Sequence, residues 1–434
     1  MNIDSALLAG AAEVDITPPI GSAMVGALVP RFSTGIDDPL MAKALVLESE
    51  RVRMAVVALD LATLPRRWGD ACVRAAAEKT GIPPEHIVWC ATHTHTGPIA
   101  EPEVYLDGVQ PSDLAWLEKL PAQFATAVAQ ALALRQPARL SRCRTFCEGV
   151  ASCRRIRFKN GLDLNNWNLN AAEPGVQSLG FTSHPDPEVN ALCFDTESGQ
   201  PLAILWTFAC HTNANFGPKF SADYPAITAA HLRRHFGNTV VPIYLPGACG
   251  DVNPLLKWNE MGTRLADVLI PVLDARQPVS GPIPLQVIKQ EIVVPARAFR
   301  TDEAHRRQVS GWSADGITWF ERSEAFLKKR NETKLHTLLQ SWRIGEVGFV
   351  SLPGEIFVER GLDLKRLSPF PWTYPVALGG DYVGYLVTHK DEQAGGYESL
   401  NCWVSRTGPE GVDQMVDGGL KLLQQLWSAP HDAG

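Results

Sequence analysis

Two histidines two residues apart, His93 and His95 in "ATHTHTGP", close the apolar run "HIVWCAT" and precede a Gly-Pro turn. Imidazole binds metals, relays protons and hydrogen-bonds, and from a loop at a strand end both rings can face one site. Three other apolar runs end on related chemistry: "LAILWTFAC" at His211, "VVPIYLPGACG" at Asp251 and "VGFVSLPG" at Glu355. Neutral imidazole and carboxylate are natural zinc ligands, and two histidines with a glutamate leave a position open for water. Each residue alone has a plainer reading. A histidine at a strand end is commonly a hydrogen-bonded structural group. Glu355 after Pro-Gly would suit the first turn of a helix. "GACGD" would serve as a tight turn whose glycines permit close backbone approach. The site reading therefore depends on the ends of these runs converging.

The intervening segments supply elements that could bring them together. "MAKALVLES" and "VRMAVVALDLA" read as two strands about a turn at 48–51, and "RRWGDACVRAAAEKTG" as a helix stopping at Gly81. "SDLAWLEKLPAQFATAVAQALALRQ" reads as a helix kinked or broken at Pro121. Residues 138–158 look extended, and 201–212 form a strongly apolar strand. "DYPAITAAHLRRHFG" is a helix with Asp223 as a candidate N-cap. A helix follows over 258–274, then the connector "ARQPVSGPIP", a strand near 285–296, helical segments over 302–330 and two strands before "LPGE". "EIFVERGLDLKRL" and 410–428 close the chain as helices. Alternating helices and apolar strands predict an α/β, mixed α+β layer fold with central strands flanked by helices. Candidate site residues lie on both sides of the connector, so residues 1–434 are expected to form a single domain.

Composition removes several classes. The 434 residues are 45% hydrophobic and 20% charged, with a formal net charge of −7 and no Lys/Arg block. A nucleic-acid partner is not expected. No apolar run approaches a bilayer span, and the acid-bearing N-terminus makes a poor signal peptide. The nine cysteines include no CxxC. They read as buried reduced thiols of a cytoplasmic protein, and the spacing of Cys143, Cys147 and Cys153 fits no zinc pattern.

The motifs in order resemble the N-terminal catalytic domain of the neutral ceramidase family. They are "EVDITPPIG", Gly26 in "AMVGA", "THTHTGP", "CRR" at 153–155, "DPEVNALCF", "FACHTN", "SADYPA", "GACGDVNP", "LPGE", "YVGYLVT" and "YES" at Tyr397. The resemblance implies a Zn2+-dependent amide hydrolase. It implies His93, His211, Glu355 and Tyr385 as metal ligands. Tyr382 competes for the tyrosine position, and the family's spacing of twelve to its second tyrosine (397 − 385 = 12) favours Tyr385. His95, Arg154 and Tyr397 match the residues around the metal. His95 would orient water or, with Tyr397, donate to the tetrahedral oxyanion. Arg154 would anchor an anionic part of the substrate, or be a surface charge of "RRIRFK".

Gly26, Asp251 and Asn253 would shape the cavity. Gly26 would bring backbone close to substrate or merely turn the chain. Asp251 would orient a ligand imidazole or close an Asx turn, and Asp223 is open between helix cap and support for the site. The chain departs from the family at Asn253, where the family has serine, and at Cys153, where it has asparagine. No secretory leader or C-terminal immunoglobulin-like domain is expected; 434 − 397 leaves 37 residues after Tyr397. The expected substrate is therefore a smaller, soluble acyl amide rather than ceramide. The rivals are another metal hydrolase, acting on an ester, lactone or phosphoester, and a non-catalytic binding protein on the same fold. A two-metal barrel would want a bridging lysine at a strand end, and none stands there.

Overall fold

The structure, a computed structural model, describes residues 7–26, 31–50, 52–101, 109–299, 309 and 312–429. The expectation of helical structure over 302–330 falls partly outside these residues; Ala314–Arg330 is a helix.

Eight strands make the main sheet, in the order Val241–Pro246, Pro201–Phe208, Glu188–Thr196, Gln136–Phe146, Leu8–Asp15, Met41–Ser49, Val52–Leu59 and Ile87–Ala91. Both edges are built alike. An antiparallel hairpin, Met41–Ser49 with Val52–Leu59, leads into helix Arg66–Thr80 and the parallel strand Ile87–Ala91. At the other edge the hairpin Glu188–Thr196 with Pro201–Phe208 leads into helix Asp223–Phe236 and the parallel strand Val241–Pro246. Parallel neighbours need such a crossover, because a tight turn can only reverse the chain.

The sheet is nearly divided in the middle. Leu8–Asp15 meets Gln136–Phe146 only through Leu8↔Pro137 and Ala9↔Gln136. With so short a joint the two halves fold toward each other and share a core. Leu45, Met54, Val56 and Val88 of one half cluster with Phe194, Leu205 and Ile243 of the other. Two edges distant in strand order are thereby brought together. Thr94 bridges Thr212 in parallel, and Thr212 Oγ1 donates to Thr92 O at 2.5 Å, pinning the loop after Ile87–Ala91 to the loop after Pro201–Phe208.

A second sheet, Leu285–Pro295, Lys334–Ile344, Val347–Ser351 and Trp372–Val376, packs Trp342 and Phe349 into this same core. Helix Pro409–Ser428 lies against it, with Met415 and Leu422 clustered with Leu339 and Val350. Strands buried on both faces explain the unbroken apolar runs of the sequence. The mixed α/β layering matches the sequence expectation. Two local expectations change. Helix Pro111–Ala133 runs on through Pro121. Helix Asp223–Phe236 is capped at Ala222, so Asp223 is its first residue. Among the described residues, no helix is long and apolar enough to cross a membrane.

Candidate metal centre and its cavity

His93, His95 and His211 meet at the ends of their strands. Their ligand nitrogens all lie within 4.8 Å of one another. Each ring is turned by a backbone carbonyl. His93 Nδ1 pairs with Ala62 O at 2.9 Å, His211 Nδ1 with Cys249 O at 2.6 Å and His95 Nδ1 with Gly26 O at 3.3 Å. A carbonyl only accepts, so each Nδ1 carries the proton and each Nε2 keeps a lone pair for the shared centre. His93 holds φ +69, a strained conformation for a residue with a side chain, and it is 3% exposed. Non-glycine residues in such conformations concentrate at functional sites.

Glu355 enters from the second sheet. The turn after Val347–Ser351 delivers it to a short parallel pairing in which Glu355 faces Tyr385 in register. The close approach of Gly250 makes room: a Cβ there would lie 2.4 Å from Glu355 O. Glu355 Oε2 stands 3.2 Å from His93 Nε2 and 3.0 Å from His211 Nε2. Despite that proximity Oε2 is buried with no well-angled hydrogen bond. Oε1 is satisfied, accepting from the Tyr382 hydroxyl at 2.7 Å.

Electrostatics favour a cation. Burial, then the charges of Arg154 and His93, pull the His211 pKa down to about 4. Burial and the neighbouring imidazoles likewise hold His95 well below the ordinary histidine range. Burial pushes Glu355 up, but its contacts with His93 and His211 outweigh this and keep it well below the usual carboxylate range. Two imidazoles held below the ordinary histidine range, His95 and His211, around an ionised, orphaned carboxylate oxygen fit a divalent metal, and the N/O donor set suits zinc.

The centre opens into a cavity of about 480 Å³ lined by His93, His95, Glu355, Arg154, Asn253, Tyr382, Tyr385, Tyr397 and Gly26, among others. Tyr385 and Tyr397 stack edge to face, centroids 5.6 Å apart. Arg154 is no surface charge: it is 2% exposed, donating from Nε to Glu398 Oε1 at 2.8 Å and from Nη1 to His211 Nε2 at 3.1 Å. The Tyr385 ring lies 5.1 Å from its guanidinium carbon. Glu398 is fully buried and also accepts from Arg155 at 2.5 Å and Asn165 at 2.7 Å. Asn165 Oδ1 in turn accepts from Tyr397 N at 2.9 Å. One carboxylate thus holds Arg154 and the backbone at Tyr397 in place.

Gly26 serves His95: at φ +96 it presses so close that a Cβ would lie 2.4 Å from His95 O. Asp251 touches no imidazole. Its Oδ1 accepts from Val358 N and its Oδ2 from Ser183 Oγ, both at 2.8 Å, so it anchors the loop to the start of helix Val358–Leu367. The ring-orienting job expected of Asp251 falls to the Cys249 carbonyl, which no side-chain pattern reveals. Asp223 accepts from the amides of Asn215 and Tyr224 and touches no site histidine. Cys143, Cys147 and Cys153 lie outside the histidine cluster, and all nine cysteines are free and buried. The sequence reading missed Glu101 and Asn213 in the cavity wall and the Tyr382–Glu355 hydrogen bond. The only signals were the adjacency of Glu101 to "THTHTGP" and of Asn213 to His211.

No family model and no curated protein matches the chain by sequence. Solved structures do match it by shape. One described as ceramidase complexed with C2 superposes at a TM-score of 0.75 with 16% identity, covering 98% of this chain and 75% of that one. Neutral ceramidase from Pseudomonas aeruginosa gives a TM-score of 0.75 with 17% identity, covering 97% and 75%. Over nearly its whole length, then, the chain has the fold of the neutral ceramidases.

Proposed function

We propose that this protein is a zinc-dependent hydrolase of acyl amides, acting on a small-molecule substrate. The observation that carries the reading is the orphaned Glu355 Oε2 set beside Nε2 of both His93 and His211. The ceramidase-like fold supports the amide as the bond attacked.

His93, His211 and Glu355 would hold the ion, and Tyr385, paired in register with Glu355, would complete or adjust the sphere. Zinc supplies Lewis acidity, which acidifies water and polarises a carbonyl. His95 is the least buried of the three imidazoles and has the longest tether. It orients the attacking water and exchanges the proton at Nε2. Tyr397 donates to the carbonyl oxygen as charge develops there, a contribution worth about 10²–10³ in turnover. Arg154 binds a polar part of the substrate beside His211. The aromatic and apolar cavity walls, Trp167, Phe216 and Val25 among them, exclude water from the acyl part. Nine buried thiols without a disulfide support a reducing compartment, the cytoplasm, and one catalytic domain spans the chain.

The test is metal analysis of the purified protein followed by a panel of N-acyl amines, amino-sugar amides, lactones and phosphoesters. We expect about one zinc per chain and turnover confined to the amides, lost in His93→Ala. Full activity in that variant, or two metals per chain with phosphoester turnover, would overturn the reading.

A further inference from the structure

The cavity wall beside His211 carries a short row of polar atoms that the protein does not satisfy. Arg154 Nη1 and Asn213 Nδ2 both donate to Asn253 Oδ1, each at 3.3 Å. That shared oxygen fixes both side chains. It leaves Arg154 Nη2, a donor, and Asn213 Oδ1, an acceptor, buried and without hydrogen-bond partners. Arg154, Asn213 and Asn253 line the same cavity as His93 and Glu355. The Tyr385 hydroxyl lies beside the guanidinium and favours its charged form. Buried polar atoms are nearly always paired, and leaving a cationic donor unpaired costs most.

Within ion-pair distance the Arg154 charge has one oxygen of Glu398, and Glu355 acts on it from farther off. Glu398 gives one oxygen to Arg154 and the other to Arg155. Arg155 has Asp163 besides, at 3.1 Å, whereas Arg154 has no second carboxylate within ion-pair distance among the described residues. The row therefore offers a ligand one charged donor and one neutral acceptor, close together, next to the centre that attacks the carbonyl.

We propose that this row recognises an N-acyl amino acid. The substrate's carboxylate accepts from Arg154 Nη2, and the N–H of the scissile amide donates to Asn213 Oδ1. Both groups belong to one amino-acid unit, two bonds apart, and both protein atoms belong to side chains that meet on a single oxygen. Hydrolysis adds water across the C–N bond, giving a carboxylic acid and a free amino acid. The inference rests on the amide-hydrolase reading and sharpens its substrate. Asn253 is the pivot. A serine, the residue the resembled family has there, is a shorter side chain and would not bridge both neighbours in this way.

The experiment compares N-hexanoylglycine with the uncharged, nearly isosteric N-hexanoylglycinamide, using the full chain as isolated. Calorimetric binding and kcat/KM are measured for each. We expect the acid to be favoured about tenfold to a hundredfold, the range for a charge-assisted hydrogen bond. In Asn253→Ser the preference should fall toward unity, whereas Asn213→Leu, which removes the acceptor for an N–H that both compounds carry, should weaken both alike and keep the preference. Equal binding of acid and amide by the unaltered protein, or an undiminished preference in Asn253→Ser, would overturn the inference. The two readings fail separately. Selective binding of the acid with no cleavage of either compound defeats the hydrolase and keeps the row; cleavage of both with equal efficiency defeats the row and keeps the hydrolase.

Discussion

His211 Nε2 and Glu355 Oε2 lie 3.0 Å apart and do not hydrogen-bond. The ring proton of His211 is on Nδ1, committed to Cys249 O, while Nε2 already accepts from Arg154. Nitrogen and carboxylate oxygen are thus two acceptors in contact in a buried site, with no proton between them. Such a contact is repulsive until a cation lies between them. Chelation should therefore destabilise the protein as well as inactivate it. Removing an ion present at 100 times its dissociation constant withdraws about 2.7 kcal/mol. Calorimetry with and without chelator reads this as a fall in Tm; an unchanged Tm would contradict it.

The two tyrosines separate by what they touch. Tyr382→Phe removes the donor on Glu355 Oε1 and should weaken metal affinity about 10–100-fold, the usual effect of losing a partner of a ligand. Tyr385→Phe, which would remove a phenol proposed to complete or adjust the metal sphere, should lower turnover more than Tyr382→Phe does, with a fall in affinity of its own. Competition for zinc against a coloured chelator, beside kcat, distinguishes them.

Gly26→Ala tests the tether on His95. The new Cβ would meet His95 O at 2.4 Å, at a φ of +96 that alanine rarely adopts. We expect a stability loss of about 1 kcal/mol or more, near-normal metal content, and turnover reduced by about tenfold or more as the ring shifts. Loss of metal in this variant would instead make His95 a ligand.

Glu398→Gln breaks a buried charge network rather than a surface pair. Arg154 and Arg155 would lose their shared anion, and removal of one partner of a buried pair typically costs about 3–5 kcal/mol. Urea denaturation should show it. An effect under about 1 kcal/mol would mean the network contributes no more than surface ion pairs do.

A pH effect follows from Asp223. Burial raises its carboxyl from 3.8 to about 7 despite backbone hydrogen bonds from Asn215 and Tyr224. The folded state therefore holds this proton more tightly than the unfolded state. Its contribution to stability is full below pH 3.8 and is lost as pH rises toward 7. Asp223→Asn, at a position with φ +61 that asparagine tolerates, should flatten that part of the profile. The difference between the two proteins across pH 4–8 should be on the order of 4 kcal/mol at most; parallel profiles would refute the assignment.

Much of this was legible in the chain because it is local. Apolar runs predict buried strands whatever they pack against, and Gly81, at φ +71, ends its helix by a purely local rule. The residue types at the run ends, His93, His211 and Glu355, already specified the chemistry available. What tertiary structure decided was everything between distant segments. Tertiary packing sets Thr94 beside Thr212, although their strands lie on opposite sides of the short joint at Leu8↔Pro137. Arg154 reads equally as surface or site in the sequence, because burial depends on Glu398, 244 positions away. The sequence leaves Asp251 open between orienting an imidazole and closing an Asx turn; a main-chain carbonyl orients the ring instead, and every residue carries a carbonyl, so sequence holds no mark of which one is used. Sequence determines which groups a chain can offer and where its strands and helices begin; which groups share a cavity is settled by long-range packing, whose energy comes from contacts no local window contains.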